Sequence, residues 1–467
     1  MSVTSEAMLE WCQVLLNVDG QRPKLSLDEL LAKIPRLPSL SELPSGTAVL
    51  VRGDVDAKPG PKIGEGDIRL RSMTDTLRFG RERGWKQIIF GHIGRKPEES
   101  LAKVARRIGE LMECEVPLVT DWLDESTITV RDDAANRIRE SSPGSIVLLE
   151  NTRRYEIERV LWKAKAADLP KLAGPLAQFA NQFAEKIASV YVNEALSAGS
   201  LDSSSTIVPA AMQRVALGAY VGAEFDGPMK RCLAAQLVVF SGLKIDKLDD
   251  LQAMIARGTI DTVLAAGSLA MALKKAAAEL DGGQFSLGVA EDPAHADKPY
   301  YIPRERIEQA RRMIAEGRQN KIEFVLPVDF ILQDGRASET IGPQDQQFDV
   351  GPKTCALFAR KVDEFVARHQ GRPALAFHNG VFGMFEDPRF AEGTKRFMAQ
   401  LKRLKEAGVE VYIGGGEGGA ALEKYGSPSD VTHVFTAGGT VLAALGSEPV
   451  PYLVALWMAA GGRKVSP

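Results

Sequence analysis

Val411-Tyr412-Ile413-Gly414-Gly415-Gly416-Glu417-Gly418-Gly419-Ala420 is the stretch whose reading decides the fold. Val411 to Ile413 read as the end of a buried strand. Ala420, Ala421, Leu422 and Lys424 read as the start of a helix, and five glycines and one acid lie between. A turn of this composition can bring bare backbone N–H groups and a helix N-terminus against phosphate oxygens. Glu417 is then placed to hold a divalent cation beside them. The same composition fits a tight strand-to-helix turn that binds nothing, so the surrounding chain must discriminate.

Working outward, the apolar pattern predicts strands at 237–240, 262–264, 323–327, 374–377, 409–413 and 431–436. Between them it predicts helices at 246–257, 269–280, 304–316, 354–368, 389–405 and 439–445. Upstream, strands are predicted at 49–52, 87–91, 116–119, 146–150 and 189–193, with helices at 68–81, 101–112 and 176–187. Short strands that are almost wholly apolar, alternating with helices, imply mostly parallel sheets covered on both faces. Two such α/β domains are expected. Residues 45–222 form the first and 223–446 the second. Residues 1–44 form an N-terminal extension, with Ser26 as a helix cap, and a tail at 447–467 packs back on the first domain.

Composition agrees with a soluble enzyme. The chain has 467 residues, 45% hydrophobic and 25% charged, with a net charge of −3 and no basic tail, so nucleic acid is not an expected partner. Cys12, Cys114, Cys232 and Cys355 are scattered without metal spacing, which suits reduced thiols in a cytoplasm. The start of the chain lacks a basic region followed by an apolar run, and 450–460 is too short to span a bilayer. A cytoplasmic location, no membrane contact and a monomer are expected, with oligomerisation through the extension left open.

In open parallel sheets, ligands bind beyond the carboxyl ends of the strands. Polar residues fall there repeatedly. Asp54 and Asp56 follow the first strand, Gly91-His92-Ile93-Gly94-Arg95 the second, and Asn151-Thr152-Arg153-Arg154 another. In the second half Ser241-Gly242-Leu243-Lys244, His378-Asn379-Gly380 and Gly414 to Gly419 occupy such places. Arginines gather in the first half, glycines and lysines in the second. That is a layout for an anionic small molecule on one domain and a nucleotide on the other.

These residues carry a resemblance. From about Leu40 onward the chain resembles phosphoglycerate kinase. The landmarks are Arg52-Gly53-Asp54-Val55-Asp56, Asp67-Ile68-Arg69, Gly91-His92-Ile93-Gly94-Arg95 and Leu148-Leu149-Glu150-Asn151-Thr152-Arg153 in the first half. In the second half they are Gly242-Leu243-Lys244, Asp246-Lys247-Leu248, Leu326-Pro327-Val328-Asp329-Phe330, Asp349-Val350-Gly351-Pro352, Asn379-Gly380-Val381-Phe382-Gly383-Met384-Phe385-Glu386 and Gly414-Gly415-Gly416-Glu417. The resemblance implies two Rossmann-like, three-layer parallel-sheet domains separated by a cleft and hinge. It implies reversible phosphoryl transfer from ATP to a carboxylate with Mg2+. Arg69 would bind the reacting carboxylate and Lys247 the transferring group, with backbone N–H groups of Gly438 and Gly439 beside them. Arg52, Asp54, Asp56, His92, Arg95 and Arg153 would line the acid site. Lys244, Gly267, Asn379, Gly380, Glu386, Gly414, Gly415 and Gly416 would hold ATP or ADP, and Glu417 the metal. Arg69 and Lys247 are expected to face one another across the cleft.

The departures bear on the substrate. Where the family carries a His-Arg-x-His run for its phosphorylated acid, this chain reads Ser200-Leu201-Asp202-Ser203. Losing an arginine fork and gaining an acid makes the pocket less welcoming to a phosphate dianion. Asp56 replaces an Asn, Arg95-Lys96 an Arg-Pro, Val381 a Pro, Glu417-Gly418 an Asp-Thr, and Ala437-Gly438-Gly439 a run of three glycines. The Lys244–Lys247 segment is one residue short. The expected function is a carboxylate kinase acting on a small acid other than 3-phosphoglycerate. A housekeeping phosphoglycerate kinase and a silent nucleotide-binding scaffold are the alternatives.

Overall fold

In the computed structural model, residues 2–446 and 448–462 are described. The chain divides into two compact units, one formed by the chain up to Asp226 together with the stretch from Pro449, the other by Gly227–Glu448. Each is built on a six-stranded sheet of parallel strands, so both are Rossmann-like α/β units.

In the first unit the spatial strand order is Leu118–Val119, Ile146–Leu149, Lys86–Phe90, Ala48–Gly53, Val190–Glu194, Arg214–Leu217. The central strands are buried along nearly their whole length, which explains their unbroken apolar runs. Val49, Val51, Ile89, Leu148 and Val192 form one face of the core. Chain order reverses at Ala48–Gly53, so the crevice beyond that strand collects the loops after Gly53, Phe90, Leu149 and Glu194.

In the second unit the order is Glu323–Val325, Thr262–Ala265, Leu237–Phe240, Leu375–Asn379, Glu410–Gly414, His433–Phe435. The reversal falls at Leu237–Phe240, between Thr262–Ala265 and Leu375–Asn379. A small antiparallel sheet of Phe330–Leu332, Ala337–Ser338 and Gln347–Val350 is added, which the parallel pattern did not predict. Asp329 caps the helix Pro352–Arg368, accepting from Thr354 N at 2.7 Å and Lys353 N at 2.9 Å.

Three local readings need correction. No loop occupies 414–419. The strand Glu410–Gly414 passes straight into the helix Gly415–Tyr425, because glycines carry no side chain to mark a helical period. The helix expected over 68–81 is two, Ile68–Ser72 and Thr74–Glu82, divided at Met73. Arg214–Leu217, where no strand is predicted, is an edge strand.

The N-terminal extension is an ordered part of the first unit. Thr4 caps the helix Ser5–Leu15, and Ser26 and Glu29 form a capping box on Leu27–Lys33. Ser5–Leu15 packs on the long helix Leu169–Lys186. Trp11, 4% exposed, donates from Nε1 to the Thr206 carbonyl at 2.8 Å. Thr206 ends the short helix Ser203–Thr206, which Pro451–Trp457 also covers. Trp11→Ala should therefore cost the first unit about 3–5 kcal/mol, seen by calorimetry as an earlier unfolding transition. An unmoved transition would show that the extension adds nothing to that unit's stability.

Candidate active site

The second unit offers a pocket of about 440 Å³ beyond its central strands, lined by Gly242, Gly267, Ser268, Met384, Glu386 and Glu417 among others. The helix Gly267–Leu280 begins on its wall, and Gly415–Tyr425 carries Glu417 in its first turn. The start of a further helix, Gly438–Leu445, lies against Gly415. First-turn N–H groups of a helix lack intrahelical acceptors, and the helix dipole makes that end partly positive. Backbone closeness requires glycine at two positions. Gly415 has φ +55° and a Cβ there would strike the Gly438 nitrogen. Gly267 has φ +67° and its Cβ would come within 2.6 Å of the Gly242 carbonyl.

Lys247 opens the helix Lys247–Ile255, half-buried. Its Nζ donates to the Ser241 carbonyl at 2.9 Å and to Asn379 Oδ1 at 3.0 Å. Asn379 Nδ2 in turn donates to the Gly414 carbonyl at 3.2 Å. Burial lowers the Lys247 pKa, the charges of Glu417 and Asp250 oppose that, and Lys244 adds to it. Gly380 lies against the Ser241 carbonyl, and Gly416 and Gly439 face open space. Lys244 is exposed, three residues before Lys247.

In the first unit the predicted residues fall into two groups. Arg69, with its side chain 24% exposed, donates from Nη1 to the Asp56 carbonyl at 2.8 Å and to Asp56 Oδ2 at 3.1 Å. Its Nε stands 3.8 Å from Asp54 Oδ1. Among the described residues its Nη2 makes no protein hydrogen bond. Asp54 is buried and accepts from Ser197 Oγ at 2.6 Å. Burial pushes the Asp56 carboxyl up, but the Gly94 N–H, His92 and Arg69 outweigh it and hold the pKa below the usual carboxylate range.

The second group closes on Asp202, which is wholly buried. Its carboxylate accepts from Arg153 Nη2 at 3.1 and 3.3 Å and from Trp162 Nε1 at 2.8 Å. His92 Nδ1 lies 3.1 Å and Arg52 Nη2 3.7 Å from the same oxygen. The Nδ1 atom is also 2.9 Å from Arg52 Nη2, so it donates to the carboxylate when protonated and accepts from the guanidinium otherwise. Burial pulls the His92 pKa down despite Asp202, leaving the ring uncharged at neutral pH. The carboxylate then relies on the guanidinium groups and the indole N–H. Burial raises its pKa, and its cationic and N–H partners more than reverse that.

Most arginine donors in this cluster are committed to protein acceptors, and the buried Arg153 Nε is left without one. Arg52 donates to Ser204 Oγ at 3.0 Å, Ser205 Oγ at 3.1 Å and the Gly53 carbonyl at 2.7 Å. Arg153 donates to the Gly94 carbonyl at 2.7 Å and stacks over Trp162, 4.7 Å from its centroid. Arg154 next to it is exposed. Arg95 is exposed, and among the described residues it makes no bond to the cluster. Glu158, buried beneath, accepts from Thr152 Oγ1 at 2.8 Å and from Ser204 N at 2.8 Å, and burial with Asp202 nearby pushes its carboxyl up. Trp162 and Glu158 were not foreseen. They lie in an irregular stretch with no periodicity, and their place follows only from tertiary packing.

A family model described as phosphoglycerate kinase matches residues 42–448. The chain belongs to the phosphoglycerate kinase family. It is 27% identical over 438 residues to a phosphoglycerate kinase of Clostridium kluyveri, covering 88% of this chain and 96% of that one. With a phosphoglycerate kinase of Bifidobacterium adolescentis it shares 28% over 436 residues, covering 88% and 97%. The solved structure of phosphoglycerate kinase from Pyrococcus horikoshii OT3 superposes with a TM-score of 0.69 at 24% identity, covering 91% of this chain and 99% of that one. That of Coxiella burnetii superposes at 0.64 with 23% identity, covering 90% and 99%. These structural likenesses speak for the fold.

Membership makes the chain an ATP-dependent phosphotransferase of a family that uses ATP/ADP and Mg2+. Its residues fit those ligands. Among the described residues no group of three His, Cys, Asp or Glu could hold a metal alone. Mg2+ in kinases is held by one or two carboxylates plus phosphates, and Glu417 on the pocket wall is such a carboxylate. No described helix is long and apolar enough to cross a membrane.

One carboxyl here gives a pH signature. Burial pushes Glu194 from 4.5 up to about 7, outweighing the bonds from Tyr220 N, Thr76 Oγ1 and Val221 N. The folded chain keeps a proton there that the unfolded chain releases. Its contribution to stability is complete below 4.5 and is lost as pH rises through about 7. The first unit should therefore lose on the order of 3 kcal/mol between about pH 5 and pH 8 from this group. Glu194→Gln should flatten part of that slope in thermal melts across pH, with Glu158 supplying a remainder of the same sign. A Glu194→Gln variant whose midpoint follows the wild-type pH slope would contradict it.

Proposed function

We propose that the chain transfers the terminal phosphoryl group of ATP, reversibly, to the carboxylate of a small organic acid other than 3-phosphoglycerate. A carboxylate oxygen attacks the γ-phosphorus in line. The bond from that phosphorus to the β–γ bridging oxygen breaks, giving ADP and an acyl phosphate. Such a reaction depends chiefly on positioning and on stabilising charge. Arg69, whose Nη2 has no protein partner among the described residues, takes the reacting carboxylate. Lys247 neutralises the transferring group, with the N–H groups of Gly438 and Gly439 beside it. Gly414, Gly415, Gly416, Lys244, Asn379 and Gly380 serve the phosphates, Gly267 and Glu386 the nucleoside, and Mg2+, held by Glu417, supplies charge neutralisation.

The observation that carries the substrate reading is Asp202. Arg52, His92 and Arg153 turn onto a carboxylate of the chain itself, in the segment where the family binds its phosphorylated acid. One reading rivals this: a housekeeping phosphoglycerate kinase, favoured by curated relatives of that name matching over 88% of the chain.

A coupled ATP assay across a panel of carboxylic acids separates them. Turnover of at least one phosphate-free acid is expected, with kcat/KM for 3-phosphoglycerate lower by about 100-fold or more. Lys247→Ala should lower kcat by about 100-fold or more on the same acid. Ordinary turnover of 3-phosphoglycerate by the wild type would establish the housekeeping reading instead.

A further inference from the structure

The second-unit cavity that touches Gly267, Glu386 and Glu417 has a further wall. Leu287, Ala290, Tyr300 and Ile302 supply it, all from the stretch 281–303 that links the helices Gly267–Leu280 and Arg304–Gln319. Met271 and Ile341 line the cavity as well, and every one of these side chains except Tyr300 is buried. Among the described residues Glu386 and Glu417 are the only charged members of the lining. The rest of the cavity therefore suits an uncharged, largely apolar body.

Tyr300 differs from its apolar neighbours in being half-buried and held at its polar end. Its hydroxyl lies 2.7 Å from His295 Nδ1, with the two ring centroids 5.8 Å apart. The imidazole tautomer decides which of the two atoms donates. His295 is itself fixed. Its backbone N–H donates to the Asp292 carbonyl at 2.8 Å, and Asp292 Oδ1 accepts from Ala294 N at 2.9 Å. The stretch is also tied down on either side of His295. Val289 N donates to the Asp345 carbonyl at 3.1 Å, and Ile302 N to the Ala290 carbonyl at 2.7 Å. With its hydroxyl engaged by the imidazole, Tyr300 offers the cavity its ring. An aromatic ring set among apolar walls is a surface for another flat ring.

We propose that Tyr300 is a contact for the nucleobase, its ring packing against the base of the bound nucleotide, and that His295 is a positioning residue that holds the phenol there. The inference rests on the reading of the second unit as the nucleotide-binding unit. It adds a contact from a segment where no site residue is predicted, and it gives that contact to the base and not to the phosphates. The contact works through aromatic area, which any base can meet with its own face, and not through a hydrogen bond from Tyr300.

Equilibrium binding by calorimetry on the full chain, with Mg2+ present, tests this without needing turnover. The probes are ATP and inorganic tripolyphosphate, which share the phosphate chain and differ by the nucleoside. Wild type should bind ATP about tenfold or more tighter than tripolyphosphate. Tyr300→Ala should weaken ATP binding by about tenfold and leave tripolyphosphate binding unchanged. Tyr300→Phe keeps the ring and drops the hydroxyl, so it should cost ATP only about threefold. His295→Ala should cost about the same, and the two changes together no more than either alone, because both remove one hydrogen bond. Melting midpoints confirm that each variant is folded. ATP binding that Tyr300→Ala leaves unchanged, an equal loss for tripolyphosphate, or losses from Tyr300→Phe and His295→Ala that multiply when combined, overturns the proposal. A wild type that binds neither probe overturns the nucleotide reading and this inference with it. If the binding pattern holds but no acid is phosphorylated, the kinase reading fails and the Tyr300 contact stands.

Discussion

The ion pairing of Asp202 with Arg153 and Arg52 is the constraint on which the first unit's buried charge cluster depends. A charge taken out of water survives only when paired and hydrogen-bonded. Arg52 is 1% exposed and Arg153 8%, so neither guanidinium could stay where it is without an anion within reach. The protein supplies that anion from its own chain. The loops after four neighbouring strands are thereby drawn to one point, through Arg52, His92, Arg153 and Asp202. The segment carrying Asp202 is also gripped on either side. Glu158 accepts from Ser204, and Trp11 of the N-terminal helix holds Thr206. An extension that lies before the family match thus contributes to the geometry of this cluster.

The second unit treats charge in the opposite way. Lys247 is steadied by carbonyl and amide oxygens and not by a direct ion pair. The helix starts at Gly415 and Gly438 come together, and Gly416 and Gly439 keep open space in front of them. Burial lowers the Lys247 pKa, and a cation shielded from water interacts more strongly with an anion than it would in bulk solvent. The first unit's charge cluster is therefore neutralised from within, whereas Lys247 in the second unit is held by oxygen dipoles.

Much of this was legible in the sequence. The apolar runs at Leu237–Phe240 and Ile146–Leu149 could only be buried parallel strands, and the polar residues following them could only lie at the carboxyl edge of a sheet. The adjacent Arg153 and Arg154 had to diverge. The acid at Asp202, in place of a cationic motif, was visible in the sequence. Sequence failed where side chains carry no local signal. Glycines 415–419 hid a helix start because a helical period needs side chains to show it. The four-residue edge strand Arg214–Leu217 is too short for alternation to stand out. Trp162 and Glu158 sit in an aperiodic segment, and only packing reveals that they meet Asp202. The sequence places an acid at 202, and packing brings its carboxylate to Arg52, His92 and Arg153.

The most direct test is a crystal of the full chain soaked in ammonium sulfate, refined for anions in the first unit. Sulfate is the simplest stand-in for a substrate phosphate and competes for the same donors. The account predicts that Asp202 keeps its bonds to Arg153 and Trp162, and that no sulfate lies within hydrogen-bonding distance of Arg52, His92 or Arg153. A sulfate bound among those three side chains, with Asp202 displaced, would contradict it.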